Sequence, residues 1–365
     1  IPLDAKQLQE VLTTWPRVDR VNLNRIGLER LNKVRALKGK PPLPAGLARP
    51  VGQEVESSIC GPAGLALFPP LDLDPELYGD LPAFVDNSAL PHFPPIRNQG
   101  AIGSCASFSS TYYQLSHMTA LQRGLDITDP DDNTNKYSPK WSYNMLNDGA
   151  DLGTSLTENL MLLEKHGAAT WEEVPYDADY LAWCLSGPAW WNALSVKTMP
   201  PQYSWHTETD AGLEVVKQLL ANGYVVTFGT YIYSWQTTLV EDDPSTVDDD
   251  AAVGKAVCYY MNGTSGGHAM TIVGYNDAVW TDINGDDVID PGEKGALRIA
   301  NSWGADWNAA DGGFVWMAYD ALRETSAVPD GPSAGRVPAI DNNVVYVLAA
   351  RSGYSPLLVA EFTVS

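Results

Sequence analysis

The spacing of apolar positions divides the chain into a helical first part and a strand-rich second part. KQLQEVLTTW puts Leu8, Val11, Leu12 and Trp15 on one face at helical spacing. Pro16 interrupts that pattern. VNLNRIGLERLNKVRALK resumes it with Ile26, Leu28, Leu31, Val34 and Leu37, until Gly39 and Pro41 stop it. Residues 41–82 are rich in Pro and Gly and keep no period, which predicts an extended, irregular tether. SCASFSSTYYQLSHMTALQ predicts a helix with Phe108, Tyr112, Leu115 and Met118 turned inward. SLTENLMLLEKHG predicts another, capped by Ser155 or Thr154 and ended by Gly167, and LEVVKQLLANG predicts a third. Then the pattern changes. YVVTFGTYIY, HAMTIVGYN, GALRIANSW and GFVWMAYD are β-branched and aromatic runs bounded by Gly, Asn and Asp, and they predict strands. Helices followed by strands predict an α+β fold. The acidic run EDDPSTVDDD, 241–250, reads as a solvated loop, and 324–343 as a loop rich in Pro, Gly and Asp. NVVYVLAAR and LLVAEFTVS read as two last strands without an assigned role.

At 365 residues, 44 % of them apolar, the chain can bury at least one large core. No stretch approaches the roughly 20 apolar residues of a membrane span. The sequence starts without a Met or an apolar signal core, so either any targeting segment is expected to have been removed or the sequence begins late. The net charge of −22 is unevenly spread: residues 1–50 hold ten Lys and Arg against four Asp and Glu. The acidic remainder repels phosphates, which argues against a nucleic-acid partner. A basic arm and an acidic body are expected to attract each other. The four cysteines, Cys60, Cys105, Cys184 and Cys258, include no pair at zinc-ligand spacing.

Cys105 stands where the first turn of a predicted helix begins, and a helix N-terminus favours a thiolate. A thiolate also needs an imidazolium close by. His117 is twelve residues further along the same helix, about 18 Å at 1.5 Å per residue, and out of reach. His92, His166 and His206 read as ordinary surface or core residues. His268 opens a predicted strand after two glycines. Asn301, at the end of another strand, can orient an imidazole, with Trp303 shielding that bond from water. On its own Cys105 would read as a buried structural thiol; with these partners it reads as a nucleophile.

Three motifs in order, QG-x-x-GSC-x-x-F, GHA-x-x-x-VGYN and NSWG, resemble the papain-like cysteine peptidases. The resemblance runs from about Leu81 to Tyr319 and implies a two-part fold, helical on one side and an antiparallel barrel-like sheet on the other, with a cleft between. It implies Cys105 as nucleophile, His268 as base and Asn301 as its orienter, with no cofactor for catalysis. Gln99 and the Cys105 backbone N–H would form the oxyanion hole, and Gly153 and Trp303 would line the substrate cleft. Four departures stand out. Ile102 occupies the place of a cysteine common in the family. Ala106 follows the nucleophile where the family has Trp. The Cys105–His268 separation is 163 residues. An insertion lies between His268 and Asn301.

That insertion, DINGDDVIDPGE at 282–293, spaces Asp282, Asn284, Asp286, Asp290 and Glu293 as calcium-loop ligands, with the Val288 carbonyl at the seventh position. Asp287 stands where that loop has Gly. A structural Ca²⁺ is expected, against a solvated acidic turn as the alternative. The chain is thus expected to comprise a prosegment-like unit over 1–80, a catalytic domain over 81–323 and a C-terminal loop with two strands over 324–365. The first unit is expected to run its tether through the cleft, against an alternative in which it lies outside. If Cys184 pairs with Cys258, a Cys60–Cys105 disulfide could hold the nucleophile latent; a free Cys60, or its pairing with Cys184 or Cys258, is the alternative. The expected protein is a secreted, periplasmic or cell-surface monomeric endopeptidase acting on peptide or protein substrates. Two other readings remain: a catalytically silent, calcium-dependent binding module, and a transpeptidase that resolves the acyl-enzyme with an amine. The Asn262-Gly-Thr264 sequon is too short to carry weight.

Overall fold

The computed structural model describes residues 2–18, 21–51, 79–351 and 353–354. Two helices form the N-terminal unit, α1 (Ala5–Thr14) and α2 (Arg25–Leu37). α1 starts on a capping box in which Asp4 and Gln7 satisfy each other's free N–H groups. Val11, Val18 and Val21 pack into the main core, while Leu23, Leu28 and Leu31 form a small cluster of their own. Val18 N donates to Tyr203 O at 2.8 Å, so the chain between the two helices borders the sheet edge.

The expected attraction between basic arm and acidic body is more local than the charge count suggests. Arg35, Lys38 and Lys40 converge on the buried carboxylate of Asp80, at 2.8, 3.1 and 2.9 Å. The hydrogen bond from Lys40 leads in holding the Asp80 carboxyl down at about 2. Arg30 reaches the body through carbonyls, donating to Leu220 O and Ala221 O. Within the expected tether, residues 45–47 form a short 3₁₀ turn and Asn24 bridges Arg49. Residues 52–78, with Cys60, lie outside the described residues, as does the expected last strand, LLVAEFTVS.

The α+β class expected from the sequence is what the chain adopts. One nine-stranded sheet comprises β1 (Phe84–Asp86), β2 (Gln202–Trp205), β3 (Val226–Tyr231), β4 (Trp235–Leu239), β5 (Ala256–Met261), β6 (Gly267–Trp280), β7 (Lys294–Ala300), β8 (Phe314–Ala318) and β9 (Val344–Val347). The order is β2-β9-β3-β6-β7-β8-β5-β4, with β1 also on β6, and every pairing but β5–β8 is antiparallel. β2, β4 and β5 were not evident in the pattern; of the last strands, β9 seats itself between β2 and β3. The helices Pro139–Leu146, Leu156–His166 and Asp210–Ala221 pack around the sheet. Ser155 caps the second of these through a capping box with Glu158, and Gly167 ends it.

The helix that starts at Cys105 differs from its expected form. It runs from Cys105–Ser107 through a π-helical stretch, Phe108–Leu115, into Ser116–Arg123. Every residue from Cys105 to Leu121 is buried, not one face alone. It lies between the sheet and the helices, so it has no solvent side. Its small polar residues make this tolerable by bonding to both flanks. Ser109 donates to Met270 O at 2.7 Å, Ser107 to Asn159 Oδ1 at 2.7 Å, and Gln114 Nε2 to Val225 O and Tyr346 O.

Candidate active site

β6 and β7 bring the site together. The pairing of Thr271 with Ala300 puts Asn301, the residue after β7, across from Met270. His268 is two residues from Met270 and so on the same face of β6. His268 Nε2 lies 2.8 Å from Asn301 Oδ1, which leaves Nδ1 for the thiol. Asn301 Oδ1 also accepts from Ser302 N at 2.7 Å, so the amide cannot turn. The Trp303 ring covers the imidazole, with ring centres 4.7 Å apart. Cys105 faces His268 from the first turn of the central helix, and all three residues line or border a cleft of about 990 Å³. Gln99, Gly153 and Trp303 line the same cleft, together with Gly100, Gly103, Gly266 and Gly267. Cys105, His268, Asn301, Gln99, Gly153 and Trp303 therefore meet in one place.

Electrostatics arms the thiol. Burial pushes the Cys105 thiol up, and the charge and hydrogen bond of His268 more than reverse this, bringing it down to about 6 from an ordinary 9.0. The Cys105 thiol is thus mostly thiolate near neutral pH. Cys258, also buried but with no imidazole beside it, is pushed up to about 12. Two buried thiols thus differ chiefly by the imidazole beside one of them.

No family model and no curated protein matches the sequence. Solved cysteine proteases are among the structures this chain is similar to. Xylellain, a cysteine protease from Xylella fastidiosa, shares 21 % identity, with 77 % of this chain and 90 % of that one covered and a TM-score of 0.48. Digestive procathepsin L 3 of the Tenebrio molitor larval midgut shares 14 %, covering 74 % and 70 %, with a TM-score of 0.45. The bromelain protease from Ananas comosus, in complex with the E64 inhibitor, shares 18 %, covering 74 % and 99 %, with a TM-score of 0.46.

Residues that were given no role in the sequence reading hold the site in shape. Ser302 Oγ donates to Gln99 Oε1 at 2.5 Å, and Gln99 Nε2 donates one hydrogen to Ile102 O at 2.8 Å. An amide nitrogen carries two hydrogens, so the second is free for the cleft. Tyr176 OH donates to Gln99 O at 2.7 Å and contacts Ser104 Oγ at 2.7 Å. Asp151 Oδ1 accepts from Gly103 N at 2.7 Å and from Tyr143 OH. This bond ties the turn before Cys105 to the loop of Gly153. A Cβ on Gly103 would sit 3.0 Å from Gly153 N, so the two backbones already touch. The Asp151 bridge thus spans the region where Ile102 stands in place of the family's cysteine. Asp151→Ala is expected to lower kcat/KM about tenfold or more and to cost about 1–3 kcal/mol of stability, because two donors lose their acceptor. Asp151→Asn keeps an oxygen for both and is expected to stay near wild type. Steady-state kinetics and chemical denaturation of the pair check this.

Cys105, Cys184 and Cys258 are free thiols. Cys184 and Cys258 are therefore not joined to each other, and the expected Cys60–Cys105 pairing involves a residue outside the described ones. Cys258 is an interior strand residue whose thiol faces Tyr260 O at 3.6 Å, which explains why it has no partner.

Residues 282–293 close the β6–β7 hairpin and take a wrapped conformation. Asp282 Oδ1 accepts from Gly285 N at 2.7 Å and Asp286 N at 3.2 Å, and its Oδ2 accepts from Asp287 N. Asp287, at the place where Gly is expected, has φ of 59°, so an aspartate adopts the left-handed turn that the spacing demands. Asp286 Oδ2 and Asp290 Oδ2 converge on the Asn284 side chain, at 3.2 and 2.8 Å. There the Asn284 amide nitrogen faces the two carboxylates. Glu293 is buried, and its carboxylate accepts from Ile283 N at 2.7 Å, Trp280 Nε1 at 3.0 Å and Asp290 N at 3.0 Å. It closes the loop from inside and does not stand free as a two-oxygen ligand.

Proposed function

We propose that the protein is a cysteine peptidase of the papain-like kind. The observation that carries this is a thiol lowered to about 6 by an imidazole that is itself held on Asn301 at 2.8 Å, inside an open cleft. Five glycines in the cleft, at 100, 103, 153, 266 and 267, let an extended peptide backbone approach closely. The Cys105 thiolate attacks the carbonyl carbon, and the oxyanion is met by Cys105 N–H and the free hydrogen of Gln99 Nε2. The His268 imidazolium gives its proton to the leaving amine, and an acyl-thioester remains. Water, deprotonated by the now neutral His268, attacks that thioester and restores the thiolate and imidazolium, releasing the carboxylic acid.

The reading includes latency and export. The chain before α1 brings the Pro2 ring against Gly267, so close that a Cβ there would stand 2.7 Å from Pro2 Cδ. The N-terminal unit in this reading restrains the cleft from beside His268 and is removed outside the cell, in the periplasm or at the cell surface. No helix among the described residues is long and apolar enough to cross a membrane. Hydrolysis of a fluorogenic peptide by the full chain, before and after proteolytic processing of residues 1–78, tests both parts. Expected are a gain in rate on processing and an acid limb of kcat/KM near pH 6, where the Cys105 thiol ionises. No turnover in either form under reducing conditions would overturn the reading.

The reading also gives 282–293 a calcium ion, held by Asp282, Asn284, Asp286, Asp290 and the Val288 carbonyl, with Glu293 seating the loop. The ion would be structural and take no part in bond cleavage. Chelation with EDTA is expected to lower the melting temperature by several degrees, and Asp286→Asn with Asp290→Asn to remove this loop's share of that loss; differential scanning fluorimetry reads both.

A further inference from the structure

The acidic run between β4 and β5 is not the solvated loop its composition suggests. Asp243 and Asp249 are both fully buried. Asp243 has a counter-charge: Lys294 bonds its Oδ2, and this bond leads in holding the Asp243 carboxyl at about 2. Asp249 has none. Its Oδ2 accepts from Asp243 N at 3.0 Å, while its Oδ1 finds no hydrogen-bond partner among the described residues. Beside it stand the exposed Asp242 and Asp250, and one carboxylate oxygen from each of the three lies within 4.8 Å of the others. The ammonium groups nearby are already committed, Lys294 to Asp243 and Lys255 to Asp311. A buried carboxylate with an unpaired oxygen, pressed by two more carboxylates, calls for a cation.

We propose that Asp242, Asp249 and Asp250 bind a divalent cation of the calcium class, at a site separate from residues 282–293. The donors are all carboxylate oxygens, which suits a hard ion and not zinc. Calcium takes oxygens at about 2.3–2.6 Å, so opposite ligands stand up to roughly 5 Å apart; magnesium, at about 2.0–2.1 Å, draws its ligands closer. Three carboxylate oxygens within 4.8 Å of one another can share the coordination shell of either ion.

The ion would act as a staple. The loop is already tied to the sheet, with Glu241 N donating to Trp280 O at 3.0 Å and Asn276 Nδ2 to Asp248 O at 2.8 Å. Both anchor points lie in the second half of β6, at least eight residues from His268, or roughly 26 Å along an extended strand. The site therefore serves the sheet and not the chemistry.

Equilibrium dialysis of the full chain against calcium, paired with thermal melting, tests this. The variants are D242N/D250N, which alters only exposed carboxylates, D249N, and D286N/D290N as the control for the other loop. D242N/D250N is expected to bind one calcium equivalent fewer than wild type, or to bind that equivalent at least tenfold more weakly, while D286N/D290N keeps it. Without metal, D242N/D250N and D249N should melt above wild type, because carboxylate repulsion is relieved; with calcium in excess the order should reverse. That crossing separates lost binding from damaged folding. The proposal is overturned if wild type binds no calcium, or if D242N/D250N binds as many equivalents as wild type with unchanged affinity.

Discussion

His268→Ala is expected to slow alkylation of Cys105 by iodoacetamide at pH 6 by about 15- to 30-fold, and to abolish measurable peptide hydrolysis. The two effects differ in size for a physical reason. With His268 the thiol sits near 6, so half of it is thiolate at that pH. Without it burial outweighs the smaller pull of the Ala269 backbone hydrogen bond, and a thiol returned to its ordinary 9.0 would be about one part in a thousand ionised. That is a loss of roughly 500-fold in thiolate. A more basic thiolate is also a better nucleophile, with a Brønsted slope of about 0.4–0.5, which returns roughly 15- to 30-fold over three pH units. Alkylation needs nothing else. Hydrolysis also needs a proton for the leaving amine, and Ala supplies none. A pH profile of alkylation with its midpoint still near 6 in His268→Ala would refute the pairing of thiol and imidazole.

Gln99→Ala is expected to lower kcat by about 10²–10³-fold with little change in KM, the usual cost of one oxyanion donor. The substrate carbonyl gains most from that donor only once it carries charge, so binding is nearly unaffected. Ser302→Ala should act in the same direction and more weakly, about tenfold, because it frees the Gln99 amide to rotate without removing it. Its readout is a fall in kcat without the acid limb near pH 6 moving, which separates a loosened donor from a disturbed thiol. A Gln99→Ala enzyme with wild-type kcat would remove Gln99 from the reaction.

Of the residues that meet at the cleft, Gln99 and Gly153 were legible only through the resemblance, while Cys105, His268 and Asn301 also sit where a local pattern breaks. Cys105 starts a helix, His268 opens a strand after two glycines, and Asn301 follows the last residue of another. The supports around them were not. Asp151 lies in a polar loop and Tyr143 on a helix, and only the folded backbone brings them to Gly103 N. The central helix was read as one-sided because Ser, Thr and Gln count as solvent-facing; in the fold they bond to strands and helices on both flanks. β2 and β4 escaped notice because QYSW and WQTTL mix polar and aromatic residues without a clean alternation. The run 241–250 misled most, since six acidic residues in ten look fully hydrated, yet Asp243 and Asp249 are buried, one of them on a lysine from β7.

In the proposed peptidase the base arrives on β6, so Cys105 is harmless while the chain is being made. Cys105 leaves the ribosome 163 residues ahead of His268, a delay of roughly 8–30 s at ordinary synthesis rates. Over that interval its thiol has no imidazolium and stays protonated, so a half-made chain carries no weapon against its neighbours. The clock that arms the protein is the closure of the sheet, and it starts only when the second half of the sequence has been made.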